Sequence, residues 1–258
     1  MTTFKLTLEY DGMAYAGWQR QPDQPTIQAA VERALEQITQ GPVAAVAAGR
    51  TDAGVHALGQ VVSFRSDKRL APQEWTRALN GLLPPDISVR DTEVMDEKFH
   101  ARYSAREKVY EYRILNQRTR PALDRLRSWH IPKPLNILSI REAIHPLVGR
   151  KDFSSFQGSP TDNQNPTCHL LSLDVLQEGP SIRVIVRADR FLKHMVRSIV
   201  GTLVEIGHLK RDPSSMKPVF EARDRRVAGK TAPPRGLYLV QVLYEGDEPW
   251  NGDTLQFS

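Results

Sequence analysis

The chain has 258 residues, a net charge of +5, 40% hydrophobic and 25% charged residues and a single cysteine. That is enough for one large domain or two ordinary ones, and it excludes a disordered or fibrous chain. The longest unbroken apolar run, residues 43–48, is too short to span a bilayer, the polar start Met1-Thr2-Thr3-Phe4-Lys5 lacks a signal-peptide core, and Cys168 alone excludes an internal disulfide or a thiolate-rich metal site. The expectation is a cytoplasmic protein that does not engage a membrane.

Phe4, Leu6, Leu8 and Tyr10 alternate with polar residues, which predicts a half-buried strand stopped by Asp11-Gly12. Thr26 is placed to cap a helix bearing Ile27, Ala30, Val31, Ala34, Leu35 and Ile38. Residues 43–48 and 60–64 read as strands around a polar turn. Pro72 opens a helix with Trp75, Ala78, Leu79 and Leu82, and 87–95 is a further strand.

In the second half, 108–115 alternates, with Tyr110, Tyr112 and Ile114 on one face and Glu111 and Arg113 on the other. Ile137, Ile140, Ala143, Ile144 and Leu147 predict one helix capped at Gly149. Strands at 171–176 and 182–186 meet across Gly179-Pro180, residues 191–208 carry a long helical stripe, and 237–244 is a buried strand. This is not strict β-α alternation, so the expected class is α+β with largely antiparallel sheets and packed helices. Two lobes are expected, 1–105 and 106–258.

The basic excess is local. Residues 98–133 hold ten Lys or Arg and three acids, a window of +7 that leaves −2 for the rest, with Phe99, Tyr103, Tyr110, Tyr112 and Trp129 interleaved. Cations beside stacking rings are the footprint of nucleic-acid binding. A solvated arginine-rich strand pair with its aromatics in the core would look the same in the sequence.

The segment Ala48-Gly49-Arg50-Thr51-Asp52-Ala53-Gly54-Val55-His56 concentrates charge and glycine at a strand end, where sites are usually built. Arg50 and Asp52 are two apart, so an extended backbone would project both from one face. By itself the same segment could be a tight turn in which Asp52 caps a short helix.

Gly49-Arg50-Thr51-Asp52-Ala53-Gly54-Val55-His56 closely resembles the signature of the TruA family of tRNA pseudouridine synthases. Glu9-Tyr10-Asp11-Gly12 with Tyr15-Ala16-Gly17-Trp18-Gln19-Arg20-Gln21 is similar to that family's opening motif. Phe99-His100-Ala101-Arg102-Tyr103-Ser104-Ala105 leading to Tyr110-Glu111-Tyr112, His194-Met195-Val196-Arg197-Ser198-Ile199-Val200-Gly201 and Gly236-Leu237-Tyr238-Leu239-Val240 follow in the family's order. Small departures are Tyr103, where phenylalanine is frequent, and Glu107-Lys108, where basic or small residues are usual. The resemblance implies isomerisation of uridine to pseudouridine at nucleotides 38, 39 and 40 of the tRNA anticodon stem-loop, by a homodimer that needs no cofactor. It also implies two lobes related by a pseudo-twofold, similar to ferredoxin-like or RNA-recognition-motif sheets, flanking a basic cleft.

The reaction breaks the ribose C1′ bond to uracil N1, turns the base and rejoins C1′ to C5, with no redox change. An ionised carboxylate suits an electron-poor C1′ or addition to the base. By the motif match this is Asp52. Burial would neutralise it unless a guanidinium stood close. The family's partner is Arg197, one helical turn before Gly201, whose missing side chain would leave it room to reach inward. Tyr110 would stack beneath the flipped uridine, its hydroxyl available for proton removal at C5. Arg50 would hold the flipped nucleotide or keep the vacated helix open. His56 and His194 are expected to be structural or to touch RNA. A non-catalytic RNA-binding or tRNA-folding protein is the main alternative; a glycoside-acting enzyme lacks a second motif carboxylate.

Overall fold

A computed structural model describes residues 1–159, 165–248 and 250. Along the chain run β1 (Thr2–Tyr10), α1 (Ile27–Thr39), β2 (Val46–Ala47), β3 (His56–Ser66), α2 (Pro72–Leu82), β4 (Ile87–Met95), β5 (Glu107–Asn116), β6 (Trp129–Ile131), α3 (Ile137–Ala143), β7 (Gly149–Asp152), β8 (Thr167–Glu178), β9 (Ser181–Ala188), α4 (Met195–Gly207), α5 (Met216–Glu221) and β10 (Leu237–Leu243). The described residues fold as two compact units, one formed by 1–106 together with 238–248, the other by those within 107–237. The α+β class with largely antiparallel pairing is what the sequence pattern predicts. Among the described residues no helix is long and apolar enough to cross a membrane.

In the first unit the strand order is β4-β1-β3-β10, with β2 on β3. β1 runs antiparallel to β3 and β4, with Leu6 opposite Val62 and Thr92, while β10 lies parallel to β3. Phe4, Phe64 and Trp75 meet with ring centroids 5.0–5.4 Å apart and form the aromatic centre of the core. α1 starts where expected because Thr26 accepts the Ala29 N–H, a cap worth about 1 kcal/mol, and it buries Ile27, Val31, Ala34 and Leu35. The strand predicted over 43–48 shrinks to β2. The Ala45 amide goes instead to the Glu32 carboxylate of α1 at 3.1 Å and is lost to the ladder.

In the second unit the order is β5-β9-β8-β7, with β6 parallel to β5. α4 is buried all round except at its two charged residues, Arg197 and Glu205. The helix predicted over 137–147 is broken. Pro146 has no amide to continue the ladder, so α3 ends at Ala143, a 3-10 turn spans His145–Leu147, and Gly149 at φ +109° opens β7. Glu111, on the face of β5 opposite Tyr110 and Tyr112, is itself buried. Its carboxylate is 1% exposed and meets Arg113 at 2.5 Å and Arg183 at 3.6 Å.

Candidate active site

Asp52 lies on the irregular segment between β2 and β3. No helix follows it, since β3 begins at His56, so the helix-cap reading of Asp52 does not apply. Its carbonyl accepts the Val55 N–H at 3.1 Å, closing a turn. Beneath it, Tyr10 at the end of β1 places its hydroxyl 2.8 Å from the Thr51 hydroxyl. Gln60 of β3 donates through Nε2 to the Gly49 carbonyl at 2.7 Å and to the Tyr10 hydroxyl at 3.4 Å. Burial pushes the Tyr10 phenol up to about 12, against the opposing pull of its bonds to Thr51 and Gln60, so it stays neutral.

The opening motif is the other wall of this loop. The Trp18 N–H donates to the Thr51 carbonyl at 3.0 Å, and the Gly54 N–H donates to the Tyr15 carbonyl at 3.3 Å. Gly17, at φ +98°, lies so close that a Cβ there would come within 2.6 Å of the Thr51 carbonyl oxygen. His56 is buried, its Nδ1 accepts the Gly12 N–H at 3.2 Å, and its ring stacks on Tyr238 at 4.7 Å. Asp52 itself is half-buried and Arg50 is exposed.

The other two expected residues belong to the second unit. Tyr110 lies on β5 opposite Val186, is buried, and meets Phe191 edge-on at 4.8 Å. Tyr112 is the tyrosine fully absorbed by packing. Its hydroxyl donates to the Pro233 carbonyl at 2.7 Å. Burial drives its phenol far above the ordinary tyrosine range, while the Arg197 and Arg235 guanidinium groups pull the other way. Arg197, half-buried on α4, donates through Nε to the Ala232 carbonyl at 2.8 Å, and its own carbonyl accepts the Ala232 N–H at 3.0 Å.

This corrects the expected role of Gly201. A Cβ there would overlap the Lys230 carbonyl oxygen, so the vacated space admits the backbone of the 228–233 segment and is not the route by which Arg197 reaches inward. The Gly229 N–H on Thr202 at 2.9 Å and the Lys230 N–H on Glu205 at 3.2 Å hold the same segment to α4.

Sequence reasoning missed the Tyr10–Thr51–Gln60 network and the 228–233 strap. A glutamine amid the apolar run of β3 was the available signal for the first. Nothing in the pattern of 228–233 announces the second. Cys168 is buried and its thiol is pushed up to about 11, chiefly by that burial, so it is no nucleophile at neutral pH. The basic window divides between the units, with Lys98, Arg102 and Arg106 exposed in the first and Arg118, Arg120, Arg125, Arg127 and Lys133 exposed in the second.

A family profile described as tRNA pseudouridine synthase matches residues 7–104 and 143–245. The chain belongs to this family. Curated relatives named tRNA pseudouridine synthase A include a Myxococcus xanthus protein, 43% identical over 96% of this chain and 94% of its own length. A Moorella thermoacetica protein is 44% identical over 95% of this chain and 100% of its own, and an Anaplasma marginale protein 44% over 93% and 99%. Arg50 and Asp52 fall in the first stretch matched to the family and Arg197 in the second, while Tyr110 lies between them.

Proposed function

We propose that this protein isomerises uridine to pseudouridine at nucleotides 38, 39 and 40 of the tRNA anticodon stem-loop, with Asp52 as the catalytic carboxylate and no cofactor. It acts as a cytoplasmic homodimer of two-lobed subunits, with tRNA as its partner. The C1′–N1 bond breaks, the uracil turns, C1′ bonds to C5, the C5 proton leaves and N1 takes one up. The atoms balance within the nucleoside. A carboxylate serves whether it bonds C1′, adds to the base or takes the C2′ proton.

The observation that carries this reading is the loop at Asp52, which the two most family-specific motifs build jointly. Trp18, Tyr15 and Gly17 grip its backbone from one side, and Tyr10 and Gln60 hold Thr51 and Gly49 from the other. Such a scaffold keeps one acidic residue in a defined place, which is what positional catalysis needs. Arg197, whose Nε donates to the Ala232 carbonyl, is the second-unit residue assigned to substrate binding. Tyr110 stacks on the extruded base, and the exposed Arg50 contacts the RNA.

Mapping pseudouridine in an unmodified tRNA transcript tests this reading. Wild-type protein should modify nucleotides 38–40. Asp52→Asn should abolish modification while binding tRNA within a few-fold of wild type. Modification by the purified variant would remove Asp52 from the chemistry. Absence of modification by the wild type, with tRNA still bound, would favour the non-catalytic RNA-binding reading.

A further inference from the structure

Tyr103 is the one large aromatic side chain among the described residues that stands well out in solvent, at 78% exposed. A ring left in water by chance would sit on a loose loop. This one sits on a turn tied down on every side. Ala101 is buried, its N–H donates to the Ser63 hydroxyl of β3 at 3.1 Å, and its carbonyl accepts the Tyr244 hydroxyl at 2.8 Å. The Ser104 N–H donates to the His100 carbonyl at 2.9 Å, and the Ser104 hydroxyl accepts the His100 N–H at 3.1 Å. Phe99 packs on Tyr244 at 5.1 Å.

His100 then fixes the ring. Its Nδ1 accepts the N–H groups of Arg102 and Tyr103, both at 3.2 Å, and its imidazole stacks on the Tyr103 ring at 4.4 Å and 29°. The Arg102 guanidinium carbon is 5.7 Å from the same ring. The stretch 98–106 contains Lys98, Arg102 and Arg106 and no acid.

We propose that the Tyr103–His100 stack is a docking platform for an unpaired nucleobase of the tRNA, with Lys98 and Arg102 meeting the neighbouring phosphates. The proposal rests on tRNA being the substrate. Its chemistry follows from the parts. A pre-stacked, pre-ordered ring offers a π-face to any base without the entropy loss of ordering it, and cations flanking it satisfy the backbone charge. A protein partner would be expected to bury an aliphatic surround, whereas here the neighbours in sequence are cationic and polar. The role is distinct from the stacking given to Tyr110, which belongs to β5 of the second unit, whereas Tyr103 lies on a turn of the first.

Steady-state modification of an unmodified tRNA transcript, with filter binding of the same transcript, tests this on Tyr103→Ala, Tyr103→Leu and Tyr103→Phe. Stacking of one base corresponds to roughly 5- to 150-fold in affinity. Tyr103→Ala should raise KM and Kd by a factor in that range with kcat within about twofold. Tyr103→Phe should stay near wild type, Tyr103→Leu should fall close to Ala, and the melting temperature should not move because the ring is exposed. Wild-type KM and Kd in Tyr103→Ala would overturn the platform. So would a leucine variant as good as phenylalanine, which would make the contact merely apolar, or a phenylalanine variant as poor as alanine, which would make it a hydroxyl contact. If the wild-type protein leaves the transcript unmodified, the substrate reading fails instead.

Discussion

Asp52 draws its placement from neutral neighbours, and their neutrality has a pH signature. The Tyr10 phenol, held up to about 12 by burial, keeps its proton in the folded chain at a pH where an unfolded tyrosine near 10 has lost it. Folding therefore gains from Tyr10 below about pH 10 and loses that gain as pH climbs from 10 towards 12. Tyr15, Tyr112 and Tyr244 are shifted in the same direction, so the alkaline limb is a shared one. Urea midpoints measured from pH 8 to 11.5 should fall above pH 10, and Tyr10→Phe should flatten part of that fall. The same variant should be less stable at pH 8 by about 1–3 kcal/mol, because Thr51 and Gln60 lose a buried partner. An alkaline slope unchanged in Tyr10→Phe would show that Tyr10 titrates as it does in the unfolded chain.

At the scale of elements, α4 shows how packing sets chemistry. Eleven of its residues are buried, and the segment 228–233 lies against it through Gly201, Thr202, Glu205 and Arg197. Gly201→Ala pushes a methyl group into the Lys230 carbonyl. It should cost about 1–3 kcal/mol, as overpacking does, and should displace the Ala232 carbonyl that orients Arg197. Thermal melting should register the first effect, and a fall in kcat larger than any rise in KM should register the second. Wild-type kcat with lowered stability would mean that the strap supports the fold alone. Local pattern made α1, α2, β1, β4 and β10 legible, because each buries one face or one run that its own sequence spells out. β6 and β7 have only three or four residues and exist through pairing with distant strands, so no local period marks them. The alternation of β5 put Glu111 opposite the tyrosines but could not show its ion pair to Arg183 on β9, which depends on register. Within the candidate site, Asp52 was visible as a motif. The Tyr10–Thr51–Gln60 contacts were not, because they join residues up to fifty positions apart.

For the whole molecule the electrostatics are distributed, although the sequence concentrates them. The +7 window is one stretch of chain but belongs to two units, and Arg113 within it is engaged with Glu111. Four exposed cations of the second unit, Arg118, Arg120, Arg125 and Arg127, fall between β5 and β6, a stretch whose sequence holds one acid, Asp124. If these arginines neutralise tRNA phosphates, binding releases counterions and the logarithm of affinity falls linearly with the logarithm of salt. Each contact contributes about 0.7–0.9 to that slope. Replacing the four by glutamine should therefore lower affinity at 50 mM salt far more than at 300 mM and reduce the slope by up to about 3.6, without changing the nucleotides modified. A slope equal to that of the wild type would place the phosphate contacts elsewhere. A changed modification pattern would mean that the loop selects the site as well as holding the backbone.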